Sequence, residues 1–230
     1  MILAGLFSGG KDSTFSIYKA QQLGHQVKCL VTLFPKSDES HLLDYSNIEM
    51  SELQSKSMGL PHLTIKSSSY DTKIELKKLG EVLALAKTKF GIEGIVHGGI
   101  MSKFQKEKFQ NIAGEIGLEL ISPIWNKGQT DYLKELIEEN FDFIITSVSA
   151  DGLDDSWLGE VIDLDNLNIL ESLSSKHGFN INFEGGEAET FVINCPLFKN
   201  PITIKRAKNV WDGYRGRFEI LEAELKNNVR

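Results

Sequence analysis

A glycine-rich turn near the N-terminus constrains the fold of this chain more than any other feature. Residues 1–7 form a short apolar run that is typical of a buried strand, and the sequence SGGKDS follows directly at 8–13. Apolar residues then recur at helical spacing from 12 to 23, and Gly24 ends the pattern. A strand, a tight glycine turn and a helix in this order predict an anion-binding loop in an α/β fold.

The first half of the chain continues the same alternation of strand and helix. Strand patterns occur at 27–34, 62–66, 92–97 and 118–121. Helix patterns occur at 48–58, 73–90 and 102–116, and Ser102 is the expected cap of the last one. The alternation predicts a parallel sheet with helices on both faces, where ligands bind at the carboxyl ends of the strands. The loops at 8–11, 35–46 and 98–103 follow strands, so we expect them on one edge.

After Pro123 the pattern changes to a mixture of helices and closely spaced strands. Helices are predicted at 131–140 and 164–177, and strands at 143–148, 191–194, 202–207 and 218–225. We therefore predict an α/β domain at 1–122 and a smaller α+β domain at 123–230.

Composition restricts the partners and the compartment that we expect. The net charge of −7 argues against a nucleic-acid partner, and the short basic clusters at 103–108 and 205–208 are typical of solvated faces. The sequence contains no run of 18 apolar residues, which a membrane-spanning helix would need. The N-terminus also lacks the basic residues that begin a signal peptide, so we expect a cytoplasmic protein. Cys29 and Cys195 are far apart and are expected to be buried, reduced thiols.

The glycine-rich loop differs from a Walker P-loop at one decisive position. Gly5, Gly10 and Lys11 fit the Walker spacing, but Asp12 stands where a Ser or Thr hydroxyl would bind magnesium. An anion site remains, because glycines turn the backbone tightly and the next helix directs about +0.5 charge at the loop. Lys11 adds a mobile positive charge, and Asp12 either holds Mg²⁺ or caps the helix.

The loop resembles that of the PP-loop, or N-type, ATP pyrophosphatases. In that superfamily, which includes GMP synthetase, NAD synthetase, tRNA thiolases and tRNA lysidine synthetase, the loop holds the pyrophosphate that leaves when AMP is transferred. The resemblance implies ATP as substrate and a HUP-like fold of the adenine nucleotide alpha hydrolase type. The expected nucleotide contacts are Ser8, Gly9, Gly10, Lys11, Asp12, Ser13, His97, Gly98, Gly99 and Ser102. Whether His97 is structural or catalytic stays open.

A second unusual segment, EGGEAETFV, lies at 184–192. Its three acids, Glu184, Glu187 and Glu189, repel one another unless a cation holds them, and the glycines between them allow the carboxylates to converge. We expect a site for ammonium or magnesium, with a further role as general base. A solvated acidic turn is the alternative.

Together with three other elements, this segment resembles the diphthine–ammonia ligase, or diphthamide synthetase, family. The other elements are GLDDSWLG at 152–159, CPLF at 195–198 and WDG at 211–213, so the resemblance covers the chain in order. Phe183 and Ala188 depart from the family pattern, which has a glycine and an aromatic residue there. Trp157 and Trp211 either line the substrate site or belong to the core.

The resemblance implies amidation of diphthine on translation elongation factor 2. The carboxylate is adenylated by ATP with release of pyrophosphate, and ammonia then displaces AMP. For this chemistry we expect Lys11, Asp12 and the three glutamates to be the catalytic groups, and Asp12 to be the Mg²⁺ ligand. Since no segment is left for a glutaminase domain, we expect free ammonium as the nitrogen source. A tRNA-modifying PP-loop enzyme, a nucleotide sensor and a small-molecule amide ligase are the alternatives, and homo-oligomerisation stays open.

Overall fold

The protein is described by a computed structural model covering residues 1–36, 47–69 and 71–226. Most of the expected edge loop at 35–46 lies outside these residues. The first half contains, in order, β1 (Ile2–Leu6), α1 (Lys11–Gln22), β2 (Gln26–Phe34), α2 (Ser51–Met58), β3 (His62–Lys66), α3 (Thr72–Phe90), β4 (Gly94–Val96), α4 (Lys103–Ile116) and β5 (Glu119–Ile121). No helix in the described ranges is long and apolar enough to cross a bilayer.

These five strands form a parallel sheet in the order β3-β2-β1-β4-β5, which confirms the predicted architecture. Successive residues of β1 face opposite sides: Leu3 packs in the cluster that contains Ile17 of α1, and Ala4 packs in the cluster that contains Leu83 of α3. Strand order reverses at β1, because the chain passes to β2 on one side and later to β4 on the other. A crevice at the carboxyl ends of β1 and β4 follows from this reversal.

The second half contains α5 (Gln129–Glu138), β6 (Asp142–Val148), α6 (Leu164–His177), β7 (Ala188–Asn194), β8 (Ile202–Trp211) and β9 (Gly216–Leu225). Its four strands form an antiparallel sheet in the order β7-β6-β9-β8. The last three strands are longer than their apolar patterns predict. Strands β8 and β9 pair as far as Trp211 and Gly216, and Asp212 closes the turn by accepting hydrogen bonds from the amides of Tyr214 (2.9 Å) and Arg215 (2.7 Å).

An aromatic cluster joins helix α1 to the second half of the chain. The ring of Phe15 lies 5.7 Å from that of Tyr132 on α5 and 5.1 Å from that of Phe141, both in edge-on geometry. Such pairs contribute about 0.5–1.5 kcal/mol each beyond their buried area. The helix that follows the glycine-rich loop is therefore anchored to the second half of the chain.

Both cysteines are buried and free. Burial raises the pKa of Cys29 to about 11 and that of Cys195 to about 12. The two thiols are therefore protonated at neutral pH and are poor nucleophiles, as the sequence indicates.

Candidate active site

A cleft of about 830 Å³ lies between the carboxyl edge of the parallel sheet and the antiparallel sheet. Most of the site residues predicted from the sequence line it: Ser8, Gly10, Lys11, Asp12, Ser13, His97, Gly98, Gly99, Glu184 and Glu189. Gly9, Ser102 and Glu187 are not among the lining residues. The two sequence motifs, which are far apart in the chain, thus face one space.

The glycine-rich loop is fixed by contacts to both halves of the chain. The Gly9 carbonyl accepts hydrogen bonds from Gln54 Nε2 (2.8 Å) and from the Val192 amide (3.0 Å). Gly9 has a φ of 87°, and a β-carbon there would collide with the Gln54 amide group. Only glycine adopts this backbone without strain and also leaves room for the Gln54 side chain.

The first turn of α1 is in close contact with the loop after β4. A β-carbon on Gly98 would lie 2.8 Å from the Ser13 nitrogen and 2.9 Å from the Asp12 carbonyl carbon, so the two backbones meet directly. Gly10 is the N-cap residue and offers no side chain to the helix. The Lys11 amide instead donates to Thr190 Oγ1 on β7 (3.1 Å). The first turn of α1 lines the cleft through Lys11, Asp12 and Ser13, so the positive end of the helix lies at this space.

Lys11 is held in place, contrary to the expectation of a mobile charge. Its side chain is 2% exposed, and its Nζ donates to the Asn182 carbonyl (2.7 Å) and to Asp12 Oδ2 (3.0 Å). The ammonium also lies 5.4 Å from the centre of the Phe183 ring. Burial next to a carbonyl and a carboxylate fixes the ammonium, because leaving would break both hydrogen bonds.

Asp12 has a second partner that the sequence did not reveal. The Tyr132 hydroxyl donates to Asp12 Oδ1 over 2.5 Å, and Tyr132 is fully buried. Burial, followed by the negative charge of Asp12, raises the pKa of Tyr132 well above its usual value. The phenol therefore stays protonated and serves as a donor. A tyrosine on the apolar face of a helix resembles any core residue, so no sequence signal identified it.

The three glutamates do not converge on one point, and this expectation was wrong. Glu184 Oε1 accepts from the amides of Ile100 (2.5 Å) and Met101 (2.9 Å), whereas Glu187 accepts from those of Asn180 (3.1 Å) and Gly185 (2.7 Å). Backbone amides thus stabilise two of the carboxylates without a cation. Across residues 1–36, 47–69 and 71–226, no group of three or more His, Cys, Asp or Glu side chains is arranged to hold a metal ion.

Comparison with known proteins identifies the family. Residues 1–120 match the family model for the diphthamide synthase N-terminal domain, and residues 128–225 match that for the diphthamide synthase C-terminal domain. The chain belongs to the diphthamide synthase family. A relative from Bos taurus named diphthine–ammonia ligase is 36% identical over 228 residues, covering 91% of this chain and 85% of the relative. Its counterpart from Homo sapiens is 35% identical with the same coverage, and these names place the chain among the ligases.

Two further matches are more distant. A diphthine–ammonia ligase from Schizosaccharomyces pombe is 29% identical, covering 89% of this chain but 36% of the relative. A crystal structure of a predicted subunit of tRNA methyltransferase from Methanocaldococcus jannaschii superposes with a TM-score of 0.44 at 18% identity, covering 85% of this chain and 98% of that one. This structural similarity is too low to carry a functional argument.

The structure shows why the diphthamide synthase pattern has a glycine where this chain has Phe183. Phe183 adopts a φ of 64°, in the left-handed region that favours glycine. A side chain in this conformation costs about 1–2 kcal/mol, and the contact of the ring with the Lys11 ammonium offsets part of that. Ala188 is buried at the start of β7, where it lines the cleft.

Ser102, His97 and the two tryptophans all contact other parts of the fold. Ser102 Oγ caps α4 by accepting from the Gln105 amide (3.4 Å), as the sequence predicts. His97 is 4% exposed and packs on Phe109 with ring centres 4.9 Å apart; burial lowers its pKa to about 4. Trp157 and Trp211 pack in the main hydrophobic cluster and are not among the lining residues of the cleft.

Proposed function

We propose that this enzyme converts diphthine on translation elongation factor 2 to diphthamide, with ATP and ammonium as co-substrates and AMP and pyrophosphate as products. One observation carries the proposal: the Lys11 amide of the phosphate loop bonds to Thr190 of the EGGEAETFV segment, and both line one cleft. A nucleotide held by the loop would thus meet a substrate held by the segment. The names of the relatives supply diphthine and ammonia.

The phosphate-binding half of the site consists of the loop 8–13 and the loop after β4. The amides and hydroxyls of Ser8, Gly10 and Ser13 would contact the β- and γ-phosphates, while Gly9 would shape the turn of the loop. The backbone at 97–99 would lie against the nucleotide. Lys11 would stabilise the charge that develops on the leaving pyrophosphate. Each preorganised donor of this kind contributes about 10²–10³ in rate.

Asp12 fits the role of a Mg²⁺ ligand. Its side chain is 31% exposed at the cleft, and Tyr132 and Lys11 each hold one of its oxygens, so the carboxylate is oriented before the nucleotide binds. Sites for Mg²⁺ on nucleotides commonly use one or two carboxylates, with phosphates and water completing the shell. The bound ion would neutralise charge on the departing pyrophosphate.

The proposed reaction has two steps, adenylation of the carboxylate and then amidation. A carboxylate oxygen of diphthine attacks the α-phosphorus of ATP, the bond from that phosphorus to the bridging oxygen breaks, and pyrophosphate leaves. The nitrogen of ammonia then attacks the acyl carbon, and the carbon–oxygen bond to AMP breaks. The nitrogen releases two protons between ammonium and the amide, so a base near the acyl carbon assists the step.

We assign the base and the ammonium contact to Glu189, which lines the cleft from β7. Glu184 and Glu187 would have a positioning role. Their carboxylates accept hydrogen bonds from backbone amides and so hold the loops at 100–101 and 180–185 beside the cleft. We further propose that residues 1–122 bind ATP and residues 123–230 bind the acceptor, in a cytoplasmic enzyme that uses free ammonium.

The decisive experiment supplies the purified enzyme with ATP, ammonium and diphthine-bearing elongation factor 2. We expect AMP and pyrophosphate in equal amounts, together with a mass decrease of about 1 Da on the factor as OH is replaced by NH₂. The Lys11→Ala variant should lose this activity by a factor of about 10²–10³. Formation of ADP and phosphate would contradict the mechanism. AMP release with an unmodified factor would contradict the amidation, because the adenylate would then be lost to water.

A further inference from the structure

A row of four side chains crosses the antiparallel sheet and forms the wall of the cleft. Ser147 on β6 pairs with Glu189 on β7 and, on its other side, with Arg217 on β9, which in turn pairs with Val210 on β8. Residues directly opposite each other on neighbouring strands point to the same face of a sheet. All four line the cleft, so the row faces the phosphate loop.

The alternation of β9 confirms which face Arg217 occupies. Its neighbour Phe218 packs with the hydrophobic clusters behind the sheet, where its ring lies 2.5 Å from the position that a β-carbon on Gly159 would take. Side chains alternate along a strand, so Arg217 and Glu219 project together into the cleft. Glu219 is also among its lining residues.

Charges of both signs lie on this face, where Lys208 on β8 pairs with Glu219 on β9. Glu219 lies two residues along the strand from Arg217, and Glu189 lies two strands away, about 10 Å at the usual strand spacing. A carboxylate that approached Glu189 or Glu219 would be repelled by that acid. At Arg217 it meets a planar guanidinium that binds carboxylates through two parallel hydrogen bonds.

We propose that Arg217 binds the carboxylate that is to be activated and that Ser147 and Glu189 receive the incoming ammonium beside it. This inference rests on the proposed function, because it names the acceptor half of that same site. Arg217 orients one carboxylate oxygen towards the nucleotide across the cleft. Glu189 attracts the cation from the other end of the row, so the two reactants of the second step meet above Ser147.

The test measures the Michaelis constants of Arg217→Gln and Arg217→Lys for diphthine-bearing elongation factor 2 and for ATP, using pyrophosphate release. We expect Arg217→Gln to raise the constant for the factor on the order of 10- to 100-fold, the contribution of a hydrogen-bonded ion pair, and to leave that for ATP within about twofold. Arg217→Lys keeps the charge but loses the paired geometry, so we expect an intermediate rise.

A matched control is Arg206→Gln on the neighbouring strand β8. Arg206 is 67% exposed, lies 3.9 Å from Glu222 and is not among the cleft residues, so both constants should stay unchanged. Thermal unfolding of each variant separates misfolding from loss of binding. If Arg217→Gln does not fold, the Arg217→Lys variant decides by the same criterion.

The outcomes separate this inference from the proposed function. If the wild-type enzyme amidates the factor but Arg217 variants keep the same constant for it, the carboxylate subsite is wrong and the reaction stands. A rise confined to ATP would assign Arg217 to the nucleotide and would also overturn the inference. If the wild-type enzyme forms no AMP with the factor, the proposed function fails, and the acceptor subsite fails with it.

Discussion

The hydroxyl of Tyr132 donates a 2.5 Å hydrogen bond to Oδ1 of Asp12, from a fully buried position on a helix 120 residues further along the chain. Asp12 is therefore oriented by the second half of the chain as well as by its own loop. Its other oxygen accepts from Lys11, so the carboxylate is fixed on both sides.

Removing the Tyr132 hydroxyl should weaken the activation of ATP. We expect Tyr132→Phe to lower kcat/KM for ATP about 10- to 100-fold, since a hydrogen bond to a charged group contributes about 1.5–3 kcal/mol. Pyrophosphate release at several Mg²⁺ concentrations measures the effect, and a higher Mg²⁺ requirement is expected. Tyr18→Phe is the matched control, because Tyr18 lies on the same aromatic cluster but bonds to Glu139 (2.7 Å). Equal losses in both variants would contradict a specific role for Tyr132.

Thr190 should couple the phosphate loop to strand β7 through its hydroxyl. Thr190→Val removes the acceptor of the Lys11 amide, and we expect the KM for ATP to rise about fivefold, the contribution of one neutral hydrogen bond. Thr190→Ser keeps the oxygen and should restore the wild-type value. The prediction fails if the serine variant is as impaired as the valine variant.

A methyl group at Gly98 should separate two backbones that now touch. Because the neighbouring atoms belong to the first turn of α1, the chain must move, and we expect Gly98→Ala to destabilise the protein by about 1–3 kcal/mol and to weaken ATP binding. Urea unfolding gives the free-energy change. In Gly114→Ala, on α4, the new β-carbon meets no atom within 4 Å, so this control should gain about 0.5–1 kcal/mol instead. Similar losses at both positions would be inconsistent with a contact specific to Gly98.

The buried His97 should make stability depend on pH. Its pKa falls from 6.5 to about 4, mainly through burial and then through the charge of Lys106. Between these values the unfolded chain binds a proton that the folded chain does not, so stability falls as the pH falls from 6.5 to 4, by roughly 3 kcal/mol at most. Urea unfolding across this range should show a weaker dependence in His97→Gln. Parallel curves for the two proteins would exclude His97 as the cause.

The two buried thiols should take no part in the reaction. With pKa values of about 11 and 12, Cys29 and Cys195 are protonated at pH 8, and we expect no alkylation of the native enzyme and no loss of activity within an hour. Mass spectrometry after alkylation measures this, and two additions should appear once the protein is unfolded. Rapid inactivation through either thiol would favour thiolase-like chemistry.

The amino-acid sequence by itself determined the local elements and the type of loop. Hydrophobic periodicity and glycine stops depend on residues a few positions apart, so the parallel sheet, the edge that carries the loops and the cap at Ser102 follow from the sequence. The substitution of Asp12 at the Walker position is likewise a local fact. The ends of the strands were predicted less accurately than their positions. Strands β8 and β9 extend beyond their apolar patterns through polar residues, because cross-strand pairing holds these residues in the sheet.

Only the tertiary structure decided what each charged group contacts. Lys11 was expected to move but is fixed by the Asn182 carbonyl, and Glu184 reaches the amides of another loop instead of joining the other acids. Tyr132 and Arg217 carry no sequence signal at all. Tyr132 meets Asp12 because α1 packs against α5, and Arg217 lies opposite Ser147 because of the register of β6 and β9. Helix packing and strand register leave no periodic pattern in the sequence.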